Sequence, residues 1–198
     1  MIAALLLAAG CGGGDRVRGY SYDSALAPEE ALAVADCLGE WERASDRLDL
    51  EPPLYGAVDL PHGSAFDASR DFMRLPKSDA ANVVYAWEST SEEARVGDEL
   101  YGRGMWSAMN AYGSVAVLVD RTREIDDEPG GPAFRAVLLH ELGHVRGIGH
   151  AGGRVMSADW PIEPCIDETA LAALCSIREC GPAAAPTCGD SVCEQTKR

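Results

Sequence analysis

Between Pro28 and Leu48 apolar residues return at helical spacing, with Ala31, Val34, Leu38, Trp41 and Leu48 on one stripe and Glu29 and Glu30 in the first turn, where acids complement the helix dipole. That pattern predicts a helix packed through a single face. Cys37 lies three residues after Val34 and four before Trp41, so it shares the face. Strand-like runs follow at Tyr55–Leu60 and Asn82–Trp87, then a Gly-rich segment around Met105, then Ser114–Asp120, whose Val-Ala-Val-Leu-Val core is the strongest strand signal in the chain. The acidic loop Asp126 to Gly131 ends at Pro132, whose fixed φ suits the first position of a helix, and Phe134, Leu138, Leu142 and Val145 mark that helix's buried face. Asp167 to Ile177 predicts a last helix, capped by Asp167, with Leu171, Leu174 and Cys175 turned inward. No internal repeat is present, and the mixture of helices and strands predicts an α+β fold.

Composition sharpens this picture in two ways. The 198 residues are 46% apolar and 25% charged, which is ordinary for one globular domain with a short appendage. Lys and Arg number 17 against 32 Asp and Glu, for a net charge of -15, so phosphate backbones are repelled and nucleic acid is not an expected partner.

At the amino terminus, Ile2 to Ala9 is an apolar run far shorter than the roughly 20 residues of a membrane-spanning helix. It predicts a signal peptide over residues 1–10. The run ends in Leu7-Ala8-Ala9-Gly10-Cys11, which resembles the lipobox of bacterial lipoproteins. The resemblance implies cleavage before Cys11, lipidation of Cys11, and a tether over 11–27 that includes Gly12 to Gly14. The expected location is therefore the bacterial cell envelope or surface, with membrane contact only through the lipid; an ordinary secreted protein is the other reading. Setting Cys11 aside leaves Cys37, Cys165, Cys175, Cys180, Cys188 and Cys193, an even set suited to three disulfides in an oxidising compartment. The spacings Cys175-x4-Cys180 and Cys188-x4-Cys193 are not the two-residue knuckles of a zinc ribbon, the alternative use of such cysteines. Cys37 is the one cysteine from the amino-terminal half in that set, and Cys165 or Cys175 is its expected partner. Residues 181–198, rich in Cys, Pro and Ala, form a tail.

The chemistry concentrates in His140-Glu141-Leu142-Gly143-His144-Val145-Arg146-Gly147-Ile148-Gly149-His150, which holds three of the chain's four histidines. His140 and His144, four apart on a helix, stack on one face opposite the apolar stripe and can bind one metal. A straight helix would carry His150 about 9 Å further along the axis and onto another face. Gly147, able to adopt the left-handed conformation, provides the turn that returns it. Three neutral imidazoles leave one position open on a zinc ion, the arrangement of a catalytic site, with one zinc expected per chain. Glu141, beside His140, is placed to take the proton of a zinc-bound water.

On these residues the sequence resembles a metzincin metalloprotease, most closely of the matrixin type. The resemblance spans 28–180, read as the catalytic domain, and is carried chiefly by the zinc window. It implies a twisted mixed sheet with a helix before it, an active-site helix bearing the ligands His140, His144 and His150 with Glu141 as general base, and a helix after a methionine turn. Met156, the methionine that follows His150, is the residue for that turn. In the family a free sheet edge over the cleft receives an extended peptide as an added strand; Met105 to Ala108 suits that role, and a surface loop is the other reading. Tyr112 is the last tyrosine, so the tyrosine that follows the methionine in some relatives has no counterpart. His62 is read as a loop histidine. The Asp126-Asp127-Glu128 run suits calcium but is read first as a solvated acidic loop. Trp160 and Pro161 wall the primed side of the cleft or form a surface turn.

Two functions follow from this reading. The first is a zinc-dependent endopeptidase, acting as a monomer, that hydrolyses peptide bonds in extended segments of peptide or protein substrates. The alternative is a zinc-binding surface lipoprotein that holds peptide without turnover. Mass spectrometry of the mature protein is expected to find Cys11 acylated and the other six cysteines paired; free thiols throughout would contradict export.

Overall fold

The computed structural model describes residues 20–45, 54–59, 82–87, 105–109, 115–120, 128–151, 154–158, 162 and 165–177. In chain order the elements are β1 (Tyr20–Asp23), α1 (Pro28–Ser45), β2 (Leu54–Val58), β3 (Val83–Trp87), β4 (Met105–Met109), β5 (Val115–Asp120), α2 (Pro132–Val145) and α3 (Glu168–Ile177). The mixed helix and strand content agrees with the α+β class expected. The five strands form one sheet in the order β2-β1-β3-β5-β4, in which the first four run parallel and β4 pairs antiparallel with β5. Among the described residues no helix is long and apolar enough to cross a membrane.

Two expectations about order and exposure are corrected. Tyr20–Asp23, assigned to the tether, is a strand lying between β2 and β3, so a strand precedes the first helix and the folded domain begins before Pro28. Its end is fixed by Asp23, fully buried, whose carboxylate accepts the backbone N–H groups of Ala25 and Ala86, both at 3.1 Å. Buried amides must find acceptors, and this carboxylate supplies two. Cys175 is exposed rather than turned inward, because Ala170, Leu171 and Leu174 set the buried face of α3 and position 175 falls about 100° beyond Leu174.

In helix α1 Val34, Cys37, Leu38 and Trp41 are fully buried as expected, whereas Ala31, in the first turn, is only half-buried. Leu48 lies outside the described residues. The helix opens with one half of a capping box, the Glu30 carboxylate accepting the Ala27 N–H at 2.8 Å. Helix α2 packs on α1 and lies against β4 and β5. Phe134, Leu138, Leu142 and Val145 are buried as expected, but so are all residues from Phe134 to Gly143, so this is a helix enclosed on every side rather than an amphipathic one. Its polar groups are consequently paired. The Trp41 indole N–H donates to the Leu139 carbonyl at 2.9 Å, and Arg135 donates to Asp36 at 2.7 Å and to the Gly130 carbonyl at 2.8 Å. Cys37, Cys165 and Cys175 are disulfide-bonded; three being odd, at least one of their partners lies outside the described residues, as do Cys11, Cys180, Cys188 and Cys193.

Among the described residues three glycines have a positive φ, and two of them, away from the histidines, have it for different reasons. Gly56, at φ 103, follows the extra residue Tyr55 where the β1–β2 register shifts, and a Cβ there would meet open space. Gly130, at φ 71, leads into α2, and a Cβ there would stand 2.5 Å from the Glu29 carbonyl oxygen. Gly56→Ala is expected to cost only backbone strain, about 1–3 kcal/mol. Gly130→Ala should cost distinctly more, because backbone of α1 must also move aside. Urea unfolding midpoints of the two variants test this ordering.

Candidate metal centre

The site begins with how α2 ends. Arg146 is the last helical residue by its dihedrals, and Gly147 follows at φ 87. The Gly147 N–H donates to the His144 carbonyl at 2.8 Å and the Ile148 N–H to the Gly143 carbonyl at 3.1 Å. This pair of bonds closes a helix through a left-handed glycine, with the following apolar residue, Ile148, buried against the core. The chain is thereby turned back, and His150 arrives beside the two helical histidines.

The ring centroids of His140, His144 and His150 are 4.5, 4.9 and 5.2 Å apart, and one ligand atom from each lies within 4.8 Å of the others. Such a cluster could hold a metal ion, and the second contacts of the rings show how. The Nδ1–H of His140 donates to the Val155 carbonyl at 2.6 Å, and the Nδ1–H of His144 to the Ile148 carbonyl at 2.7 Å. Each bond leaves the Nε2 lone pair free, and the two Nε2 atoms face one another at 3.0 Å. Burial pushes the His140 imidazole down to about 4, and its neighbours His144 and His150 push the same way against the Val155 bond. His144 is lowered as well, chiefly by burial. Neutral imidazoles are the form a metal requires.

Exposure grades across the three, from buried His140 through half-buried His144 to exposed His150. Below His140 runs the turn Arg154-Val155-Met156-Ser157, held by the Arg154 backbone N–H, which donates to the Asp167 carboxylate. The other oxygen of Asp167 caps α3 at Ala170, at 2.9 Å, so one side chain joins α3 to the turn that carries the Val155 carbonyl. Met156 is fully buried beneath α2, so close that a Cβ on Gly143 would collide with its sulfur. Gly143 is thus the residue that lets the methionine approach the helix between the two histidines.

Glu141 points away from this turn, toward the sheet. The hydroxyl and backbone N–H of Ser107 on β4 favour its charged form. Burial nevertheless pushes the carboxyl up to about 8. A cation at the three imidazoles would draw it down again.

His140, His144 and His150 therefore come together, with Gly147 in the turn that returns His150, Met156 packed against Gly143, and Glu141 next to His140 in α2. Cys37, Cys165 and Cys175 stand apart from them, on or beside α1 and α3. His62, Asp126, Asp127, Trp160 and Pro161 lie outside the described residues, and Glu128 is exposed. Sequence reasoning did not find Ser107, Asp167's hold on Arg154, or the carbonyls of Ile148 and Val155. Backbone carbonyls carry no signal in a sequence, and Ser107 is one hydroxyl in a short strand. A search of protein-family models finds no match for the chain, and a search of curated proteins finds none either.

Titration of the metal-free protein gives a test. Glu141 binds its proton more tightly folded, at about 8 against an ordinary 4.5, so its contribution to stability is present at low pH and is lost as pH rises toward 8. His140, lowered to about 4 from 6.5, acts oppositely and only below about 6.5. Metal-free wild type should therefore lose stability between pH 6.5 and 8, by at most about 1.4 kcal/mol per pH unit from this one group. Glu141→Gln should remove that slope, as read by denaturant unfolding across the interval.

Proposed function

We propose that the chain is a zinc-dependent endopeptidase, exported and held at the cell envelope through a lipid on Cys11. One observation carries the reading: three imidazoles converge with their nitrogens within 4.8 Å, and a buried carboxylate that is not among those ligands adjoins them on the same helix. The donor set fits a metal because His140 and His144 spend their Nδ1 protons on backbone carbonyls, which keeps Nε2 available. Three nitrogen donors are the usual holders of catalytic zinc. When bound, zinc supplies Lewis acidity, making a water more acidic and a scissile carbonyl more electrophilic.

The chain's own residues do the rest. Glu141 takes a proton from the attacking water onto a carboxylate oxygen and passes it to the leaving amine nitrogen. The hydroxyl stays on the acyl carbon, and the C–N bond breaks. The low dielectric that raises this carboxyl also makes it a stronger base, suited to carrying the proton both ways. Val155 and Ile148 hold the ligand rings in one tautomer and orientation. Strand β4 ends the sheet, and its outer edge is free of other strands among the described residues, so an extended peptide could add there by main-chain pairing. A peptide paired there would run along the strand that carries Ser107, the residue that favours the charged form of Glu141.

Incubation of the purified protein with a diverse peptide mixture, with and without chelator, tests the reading. Cleavage that chelator abolishes is expected, with one zinc per chain by metal analysis. Glu141→Gln should keep the zinc and lose about 10²–10⁴ in rate, because the amide preserves shape but accepts no proton. His144→Ala should lose the metal. Zinc and peptide binding without any cleavage would refute the peptidase.

A further inference from the structure

Trp41 of α1 meets α2 at three positions, and each contact has its own chemistry. The indole N–H donates to the Leu139 carbonyl at 2.9 Å. The ring edge lies at Gly143, where a Cβ would stand 3.0 Å from Cζ2 of the tryptophan. Over the ring sits the Arg146 guanidinium, its central carbon 5.2 Å from the centroid, inside the range at which an aromatic face attracts a cation. Spacings of four and three put Leu139, Gly143 and Arg146 on one face of the helix. His140 and His144 follow the first two by one residue each, about 100° further round the same turns. Trp41 and Arg146 are 0% and 2% exposed, so water does little to weaken the stack.

We propose that Trp41 and Arg146 are a pair of positioning residues for the metal centre, locking the last turn of α2 to α1 so that the imidazoles are held in place for the ion. This rests on the metal-binding half of the proposed function for its consequence, though not for the contacts themselves. Arg146 stands between His144 and Gly147, and its backbone N–H donates to the Gly143 carbonyl at 3.0 Å, the same oxygen that receives the Ile148 N–H. With the guanidinium fixed on Trp41, the backbone at 146 is fixed too. That backbone leads into the turn that supplies the Ile148 carbonyl to the His144 ring and brings His150 round. At its other end the indole holds the carbonyl just before His140. One rigid ring therefore spans both helical ligands, and the long, planar Arg146 side chain carries that hold past the end of the helix.

Two readouts, neither needing substrate, test the proposal. With each variant first shown to be folded, zinc affinity is measured by competition with a chromophoric chelator. Arg146→Met is expected to weaken zinc binding about 10-fold, the low end of what residues behind metal ligands contribute. Arg146→Lys, which keeps a cation for the ring, should recover part of the loss, and in a Trp41→Leu background the loss should largely vanish, because the face is already gone. The second readout is amide hydrogen exchange in metal-free protein, which keeps the test decisive if Trp41→Leu does not fold. Arg146→Met should speed exchange at Gly147 and Ile148 and leave Leu174, in α3, unchanged. Unaltered zinc affinity in Arg146→Met, no recovery with lysine, or equal acceleration at Leu174 would overturn the proposal. A wild type that binds no zinc would instead sink the metal centre, and the exchange experiment would still decide whether Arg146 holds the turn. Zinc binding without cleavage would remove only the peptidase.

Discussion

Helix α2 has to stop at Val145 for the third imidazole to reach the other two. One more turn of helix would carry the chain about 5 Å further along the axis and leave His150 facing elsewhere. The stop is built from two backbone hydrogen bonds and a glycine at φ 87, and it does more than end the helix. The residue that accepts the Gly147 N–H is His144, and the residue after Gly147 supplies the carbonyl that orients the His144 ring. Helix termination and ligand orientation are thus the same few atoms. A side chain that ended the helix without a left-handed residue would satisfy the first need and fail the second.

The second constraint is burial. An enclosed helix that carries two histidines, a glutamate and an arginine is costly unless each polar group has a partner. Here partners come from three directions: Asp36 and Trp41 from α1, Val155 from the turn below, and Ile148 from the chain's own return. Elements far apart in sequence are therefore committed to one helix by polar contacts as well as by apolar packing. Asp167 extends the chain of commitments, since it fastens the turn under His140 to the start of α3. Loss of α3 packing would be felt at a ligand two contacts away.

Much of this was legible before any coordinates. The five-position pattern His140, Glu141, His144, Gly147 and His150 states a periodicity and then its interruption, and both have direct geometric meaning. Pro132 and Asp167 announced the starts of α2 and α3, and the apolar run Val115–Val119 announced β5. What escaped has a common cause. Tyr20–Asp23 is four residues long, beside a stretch of glycines, and its pairing with β2 and β3 is set by residues more than thirty positions away. Cys175 was assigned inward from a three-residue spacing too short to separate the face centre from its margin. The influence of Ser107 on Glu141 depends on how β4 lies against α2, a relation between elements that no local window contains. A run of Met, Trp, Ser, Ala and Met reads equally as strand or loop until its neighbours are known.

The place of β1 inside the sheet bears on how the polypeptide reaches its folded state. This first strand has partners on both sides, β2 and β3, and the second of them begins some sixty residues later. Synthesis and secretion both deliver a chain from its amino-terminal end, so β1 emerges with neither neighbour yet available. The hairpin-like pairing of β4 with β5 can form from local contacts, while the interior of the sheet waits on loop closures of long range, which are slow. Until then the open edges of β1 are exposed to intermolecular pairing. Such a topology favours conditions that keep the chain extended until its carboxyl-terminal half is available.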